Sequence, residues 1–192
     1  MNNLKNYHII LASNSPRRRE LLGGLGLPFE VRVLPDISET YPDTLPADET
    51  AEYIAVEKAA AYRPLLQPDD LVITADTVVI CGDEVLGKPT DATDAHRMLR
   101  LLSGCTHHVV TGVCLLTSKF QRSFRVKTDV TFKVLDEEEI DYYIRTYQPM
   151  DKAGAYGIQE WIGYIGVTGL HGSYFNVMGL PVQRIYEELK KL

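Results

Sequence analysis

The sequence predicts an α/β fold: a single domain over residues 1–192, built on a mixed, bent β-sheet flanked by helices, with two lobes and a central cleft. Three observations lead to this prediction. Short apolar runs typical of strands alternate with segments of helical periodicity. An antiparallel portion is indicated between residues 106 and 135. The length of 192 residues allows one domain with a real core, and no repeat or linker interrupts it.

The composition argues against several classes of protein. A formal net charge of −6 does not suit a non-specific nucleic-acid binder, which needs a basic surface. No stretch approaches the roughly 18 apolar residues of a membrane span, and the N-terminus is polar, so we expect a cytosolic protein. Cys81, Cys105 and Cys114 lie in apolar runs without C-x-x-C spacing, which favours buried free thiols over disulfides or a zinc site.

The first element predicted is a strand over Ile9 to Ala12 that leads into a helix. Ser15 can cap this helix with its hydroxyl, and Pro16 suits the first helical position because its missing N–H would be unpaired there anyway. Gly26 is expected to close the helix.

Three arginines in the first turn of this helix, Arg17, Arg18 and Arg19, conflict with the partial positive charge at a helix start. A bound anion would resolve the conflict, and the hydroxyls of Ser13 and Ser15 with the free N–H groups would complete a phosphate site. Successive helical positions are about 100° apart, so at least one arginine is structural or faces solvent. The alternative is a solvated basic helix start.

A long β-branched strand is predicted from Leu71 to Cys81, and Asp76 lies in its middle. A carboxylate buried without a partner costs several kcal/mol. Asp76 must therefore bind a cation, accept good hydrogen bonds or lie where the strand opens at a cleft. A structural turn at Ala-Asp-Thr is the alternative.

His107 and His108 do not favour a metal site, because adjacent strand residues point to opposite faces and no H-x-x-x-H spacing is present.

The other elements follow from the same rules. The remaining predicted elements are a strand at 29–34, a loop at 35–46, a helix at 49–66 with Asp48 as its N-cap, a hairpin turn at 82–83, a helix at 91–103, strands at 106–117 and 120–135, a helix at 136–147, a loop at 151–159, a strand at 163–167, a polar turn at 172–176 and a helix at 181–192.

Several segments in fixed order resemble the Maf family of nucleoside triphosphate pyrophosphatases, which share a fold type with the inosine triphosphate pyrophosphatases. The resemblance covers nearly the whole chain. It is carried by Ala12-Ser13-Asn14-Ser15-Pro16-Arg17-Arg18, Glu57-Lys58, Ala75-Asp76-Thr77-Val78-Val79, Gly87-Lys88-Pro89, Ser103-Gly104 with Thr106-His107, the stretch from Asp151 to Gln159, and Gly179-Leu180-Pro181.

This resemblance implies hydrolysis of a nucleoside triphosphate between its α and β phosphates, with a divalent metal ion, Mg²⁺ or Mn²⁺, and a homodimer. Arg17, Thr77 and Gln159 match the branch that acts on dTTP, UTP and related or modified pyrimidine nucleotides rather than on methylated GTP, which implies a role in cleaning the nucleotide pool. The match makes chemical sense, because an amide offers one donor and one acceptor to the edge of uracil or thymine.

The resemblance also implies roles for individual residues. Asp76 is the general base or a metal ligand, and Glu39 supplies a second carboxylate for the ion or the water. The residues expected to bind or neutralise the triphosphate are Ser13, Ser15, Arg17, Arg18, Lys58, Lys88 and Lys152.

The sequence is also compatible with two other functions. One is a nucleotide-binding regulator of septum formation that lacks turnover, and the other is a phosphatase that releases inorganic phosphate. The presence of Asp76 favours catalysis, because a protein that only binds a polyanion gains nothing from another negative charge unless a metal ion is present.

Overall fold

A computed structural model describes residues 4–192, so residues 1–3 of the predicted domain lie outside the described part. The chain forms two compact units. Unit 1 comprises the described residues up to Asp76, together with Thr111–Val126 and Gly179–Leu192, and unit 2 comprises Thr77–Val110 and Lys127–Met178. No helix within residues 4–192 is long and apolar enough to cross a membrane.

Seven strands within the described residues form a mixed sheet, which confirms the predicted α/β class. The strand order is β2-β1-β3-β5-β6-β7, and β4 pairs with β3. The strands are β1 (His8–Leu11), β2 (Glu30–Val31), β3 (Asp70–Cys81), β4 (Glu84–Leu86), β5 (Thr106–Leu116), β6 (Gln121–Phe132) and β7 (Val167–His171).

Unit 1 is built on parallel pairing around β1. Ile10 is opposite Glu30 of β2 on one side and Val72 of β3 on the other. Its helices are α1 (Pro16–Gly23), α2 (Thr50–Tyr62) and α7 (Val182–Leu189). A buried cluster joins β1, β3 and α2 to the end of β5; its members are Ile10, Ala55, Ala59, Tyr62, Val72, Cys114 and Leu116.

The helices of unit 1 are shorter than the sequence predicts: α2 ends at Tyr62 and not at residue 66, and α7 ends at Leu189 and not at residue 192. Helix α1 ends at Gly23, and Gly26 lies beyond it in a turn with a φ of 70°. Asp48 is not the N-cap of α2, because a 3₁₀ turn at Ala47–Glu49 precedes the helix. The carboxylate of Asp48 instead lies 3.3 Å from the guanidinium of Arg125.

Unit 2 contains α3 (Ala92–Leu102), α4 (Glu137–Tyr147), α5 (Trp161–Gly166) and α6 (Tyr174–Met178). Strand β4 pairs antiparallel with β3, and β7 pairs antiparallel with β6. Asp136 and Glu139 form a capping box at the start of α4. The predicted inner face of α3 is confirmed, since Ala95, Met98, Leu99 and Leu102 are all buried.

Two predictions in unit 2 are wrong. The segment 163–167 is mostly helix, because the Gly163 N–H bonds the Glu160 carbonyl and Ile162 and Ile165 pack into the core at helical spacing. The predicted polar turn at 172–176 leads into α6, and the Ser173 hydroxyl accepts from the Asn176 N–H near its start.

The cysteines are free, but only Cys114 is fully buried. Cys81 is half-buried and Cys105 is exposed, so the prediction of buried thiols is wrong for Cys105. Cys105 lies in the turn that joins α3 to β5, where its N–H donates to the Leu102 carbonyl. An apolar run in the sequence thus includes a residue of a surface turn.

Candidate active site

The lysine of α2 lies between two carboxylates in unit 1. Lys58 Nζ is 2.8 Å from Asp76 Oδ1 and 2.7 Å from Glu39 Oε1. The side chains of Lys58 and Asp76 are 13% and 14% exposed, whereas that of Glu39 is 48% exposed. The third N–H of the ammonium has no acceptor within residues 4–192. Asp76 therefore has the cationic partner that its place in a buried strand requires.

Local contacts bring these three groups together. The Thr74 hydroxyl donates to the Ala55 carbonyl at 2.6 Å, which fixes α2 against β3 one helical turn before Lys58. The Tyr62 hydroxyl accepts from the Leu34 N–H at 3.0 Å and donates to the Arg32 carbonyl. Tyr62 thus anchors the start of the loop that carries Glu39.

Arg18 binds the backbone of unit 1 with two of its guanidinium nitrogens. Nε donates to the Gly179 carbonyl at 2.8 Å, and Nη1 donates to the Ala75 carbonyl at 2.9 Å. Burial lowers the pKa of Arg18, and the nearby charge of Asp76 opposes this effect. The guanidinium still stays charged at neutral pH. Its predicted contact with substrate remains a prediction, and the structure adds an anchoring role.

The serines of the first motif shape the start of α1. The Ser15 hydroxyl accepts from the Arg18 N–H at 3.4 Å, as the sequence predicted for an N-cap. Ser13 is buried, and its hydroxyl accepts from the Ser15 N–H at 3.2 Å. The Arg17 side chain is half-buried beside them. Their contacts with phosphate remain predictions.

The donor set of unit 1 suits a hard cation such as Mg²⁺. Residues 4–192 contain no group of three or more His, Cys, Asp and Glu side chains that could hold a metal ion by themselves. Asp76 and Glu39 converge on Lys58, however, and Mg²⁺ is commonly held by one or two carboxylates together with substrate phosphates. The residues present therefore fit a metal ion that arrives with the nucleotide.

Unit 2 holds the other predicted site residues. Thr77, directly after Asp76, is half-buried. Lys88 is exposed and makes no hydrogen bond or ion pair within residues 4–192. The carbonyl of its neighbour Gly87 accepts from the Gly154 N–H at 3.0 Å. Two predicted motifs, 87–89 and 151–159, are therefore adjacent.

Lys152 is buried in unit 2, and its ammonium is held by two carboxylates. Nζ lies 2.8 Å from Asp151 Oδ1 and 3.2 Å from Glu160 Oε1. Gly154 shapes the intervening loop: its φ is 68°, and a Cβ there would lie 2.8 Å from a methyl carbon of Val79. Any other residue at 154 would strain the backbone and clash with β3.

Gln159 presents an unpaired acceptor. Its Oε1 is buried and has no hydrogen-bond partner within the described residues. A buried oxygen left unpaired costs free energy unless a ligand supplies a donor. The predicted contact of Gln159 with the N–H of a uracil or thymine base remains a prediction.

Sequence reasoning did not predict that the rings of His107, Phe132 and Tyr156 pack together in the core of unit 2. His107 Nε2 is 2.8 Å from the Tyr156 hydroxyl oxygen, and both rings meet Phe132 edge to face. Burial lowers the pKa of His107 to about 4 and raises that of Tyr156. The neighbouring His108 instead pairs with Asp129 at 2.7 Å. His107 and Tyr156 both lie in segments that carry the family resemblance, but nothing in the sequence shows that their side chains meet.

Glu160 was also missed, as was its partner Tyr143, whose hydroxyl donates to the Glu160 carboxylate. Neither residue belongs to a segment that carries the family resemblance. Glu160 follows the 151–159 motif directly, and that adjacency is the signal that could have found it.

The model of the family described as Maf-like protein matches residues 8–192. The chain belongs to the Maf family. This Maf-family chain is 66% identical over 192 residues to a protein of Phocaeicola vulgatus named dTTP/UTP pyrophosphatase, with 100% of each chain covered. It is 59% identical over 192 residues to a protein of the same name from Bacteroides thetaiotaomicron, again over 100% of each.

The fold of this Maf-family chain is similar to that of a solved HAM1 protein from Coxiella burnetii. The TM-score is 0.50 at 14% sequence identity, and the match covers 97% of this chain and 100% of the other. At that identity the likeness concerns the fold alone.

Proposed function

We propose that the protein hydrolyses dTTP and UTP to the nucleoside monophosphate and pyrophosphate. Relatives that are 66% and 59% identical over their full length bear the name dTTP/UTP pyrophosphatase. The observation in the structure that best supports the proposal is the placement of Lys58 between Asp76 and Glu39. A site that only bound a polyanion would not gain from two carboxylates.

In this mechanism Asp76 acts as the general base. Its carboxylate takes a proton from a water molecule as the water oxygen bonds to the α phosphorus, and the bond from the α phosphorus to the bridging oxygen breaks, which releases pyrophosphate. Lys58 holds Asp76 in place and directs its third N–H to a phosphate oxygen. Asp76 and Glu39 would hold Mg²⁺ or Mn²⁺, which neutralises charge on the phosphates when bound.

The remaining predicted residues bind the nucleotide. Ser13, Ser15, Arg17 and Arg18 at the start of α1 bind phosphate, and so do Lys88 and Lys152. Thr77 and Gln159 contact the base.

A turnover screen tests the proposal. Purified protein is incubated with dTTP, UTP, CTP, GTP, ATP and methylated GTP, with Mg²⁺, Mn²⁺ or EDTA, and pyrophosphate is separated from phosphate. We expect metal-dependent release of pyrophosphate from dTTP and UTP. Release of inorganic phosphate would instead identify a phosphatase, and nucleotide binding without any turnover would identify a regulatory nucleotide-binding protein.

We further propose that the protein is a homodimer and acts in the cytoplasm. Large side chains exposed on unit 2 support a contact with a second copy: Tyr164 is 82% exposed and Phe175 is 48% exposed. Strand β7, which is last in the strand order, also exposes Leu170. Sedimentation velocity of the purified protein should show about twice the mass of the 21.6 kDa chain.

A further inference from the structure

A chain of hydrogen bonds in unit 2 surrounds Glu160. The Gly157 N–H donates to the Tyr143 hydroxyl at 2.9 Å, and that hydroxyl donates to Glu160 Oε2. The other carboxylate oxygen, Oε1, is 3.2 Å from Lys152 Nζ. One carboxylate therefore links α4 to the lysine of the 151–159 motif.

The direction of each bond in this chain is fixed by chemistry. A backbone N–H and an ammonium can only donate, and an ionised carboxylate can only accept. The Tyr143 hydroxyl must therefore accept from Gly157 and donate to Glu160. Burial and the bond to Glu160 both raise the pKa of Tyr143, so its proton stays in place. Such a fully satisfied network has one geometry.

Close packing against Gly157 restricts where the side chains of Glu160 and Lys152 can lie. A Cβ added to Gly157 would lie 3.0 Å from Glu160 Cδ and 3.1 Å from Lys152 Cε. The two carboxylates that hold Lys152 differ in exposure: the Asp151 side chain is 57% exposed and the Glu160 side chain only 20%. Glu160 is therefore the more enclosed and more constrained partner of Lys152.

We propose that Glu160, held by Tyr143, is a positioning residue that orients the Lys152 ammonium toward the phosphates of the substrate. The inference rests on the proposed function, in which Lys152 binds phosphate. Glu160 acts through Lys152 and does not itself touch the substrate. The same bonds hold the Gly157 N–H and the Glu160 side chain, which lie on either side of Gln159 in the sequence.

A double-mutant cycle tests this role. The cycle compares wild type, Glu160→Gln, Lys152→Met and the double variant, with kcat and KM measured for dTTP and UTP. Glu160→Gln should lower kcat/KM by about tenfold to a hundredfold in the wild-type background, because it releases the lysine from its place. In the Lys152→Met background the same change should alter kcat/KM by about twofold or less. Equal factors in both backgrounds would overturn the proposal.

A second variant makes the test independent of the Glu160 substitution. Tyr143→Phe keeps the ring and removes the hydroxyl, and it should raise KM for both substrates by about tenfold. Tyr147→Phe is the matched control on the same helix, because Tyr147 stacks on Tyr143 and its hydroxyl has no partner within the described residues. Glu138→Gln, an exposed change on α4, is the control for loss of charge. Equal effects of the two tyrosine variants would contradict the proposal.

Binding measurements separate this inference from the proposed function. Calorimetry measures the dissociation constant of a non-hydrolysable α,β-methylene analogue of dTTP for each of the four proteins in the double-mutant cycle. If the wild type binds the analogue but turns over no nucleotide, the proposed function fails while the cycle still tests Glu160. Thermal unfolding of each variant identifies any effect that comes from loss of the fold.

Discussion

The two units hold their charged side chains in different ways. In unit 1, Lys58 lies between Asp76 and Glu39 in an ion cluster. In unit 2, Lys152 is fixed by a network that ends in neutral hydroxyl and backbone groups, through Glu160 and Tyr143. The first arrangement suits proton transfer and charge neutralisation. The second suits precise placement of a cation, because the Tyr143 hydroxyl binds the carboxylate that holds the lysine and is itself bound by the Gly157 N–H.

This difference predicts where substitutions act. Changes in the ion cluster of unit 1 should lower kcat, because they alter groups that meet the developing charge. Changes in the unit 2 network should mainly raise KM, because they misplace groups that bind the substrate before reaction.

The largest effect is expected at Asp76. Asp76→Asn should lower kcat for dTTP by about a thousandfold, because an amide cannot accept the proton of the attacking water. Binding of the α,β-methylene analogue should change little when it is measured in EDTA, where the proposed metal-holding role of Asp76 does not contribute. Asp69→Asn, an exposed change just before β3, serves as the control. Full turnover by Asp76→Asn would remove Asp76 from the mechanism.

The largest effect on stability is expected at His107, and it depends on pH. Because its pKa is about 4 in the folded protein and about 6.5 when unfolded, the unfolded state binds the extra proton between these values. The free energy of unfolding should therefore fall by about 3 kcal/mol as the pH is lowered from about 6.5 to about 4.

Urea unfolding across this pH range measures the effect. In His107→Gln the free energy of unfolding should fall by about 3 kcal/mol less than in wild type over this pH range. His171 is exposed, so His171→Gln should show the full decrease of wild type. An identical pH dependence for His107→Gln and wild type would show that His107 is not buried in its neutral form.

A smaller loss of stability is expected from Arg18→Lys. A lysine cannot reach both the Ala75 and Gly179 carbonyls, which Arg18 binds together, so the free energy of unfolding should fall by about 2 kcal/mol. Arg19→Lys is the matched control, since Arg19 is exposed. If only turnover falls and stability does not, Arg18 is a substrate contact and not an anchor.

The smallest effect is expected at Gln159. Gln159→Leu should raise KM for dTTP and UTP by about tenfold, because the base loses its partner. Stability should not fall, because the variant removes a buried oxygen that has no partner in the folded chain. The exposed Gln183→Leu controls for added apolar surface. An unchanged KM would remove Gln159 from the base contacts.

Local patterns predicted most of the fold. The Ser15 cap, the capping box before α4 and the buried face of α3 all depend on residues close together in sequence. The helix α5 was missed because Tyr164, Ile165 and Val167 favour a strand locally and the two glycines disfavour a helix, whereas core packing selects a helix. The exposure of Cys105 was missed because apolar neighbours do not reveal a turn.

For the candidate site, the sequence by itself determined the residue types: a carboxylate in a β-branched strand, cations in short motifs, and a glycine-rich loop. Each is a local feature, and the order of the motifs carried the family resemblance. Only the tertiary structure decided which charges meet. Lys58 and Asp76 are 18 residues apart, and Tyr143 and Glu160 are 17 apart. Such pairs depend on how separate elements of the chain pack together, and no local spacing encodes that packing.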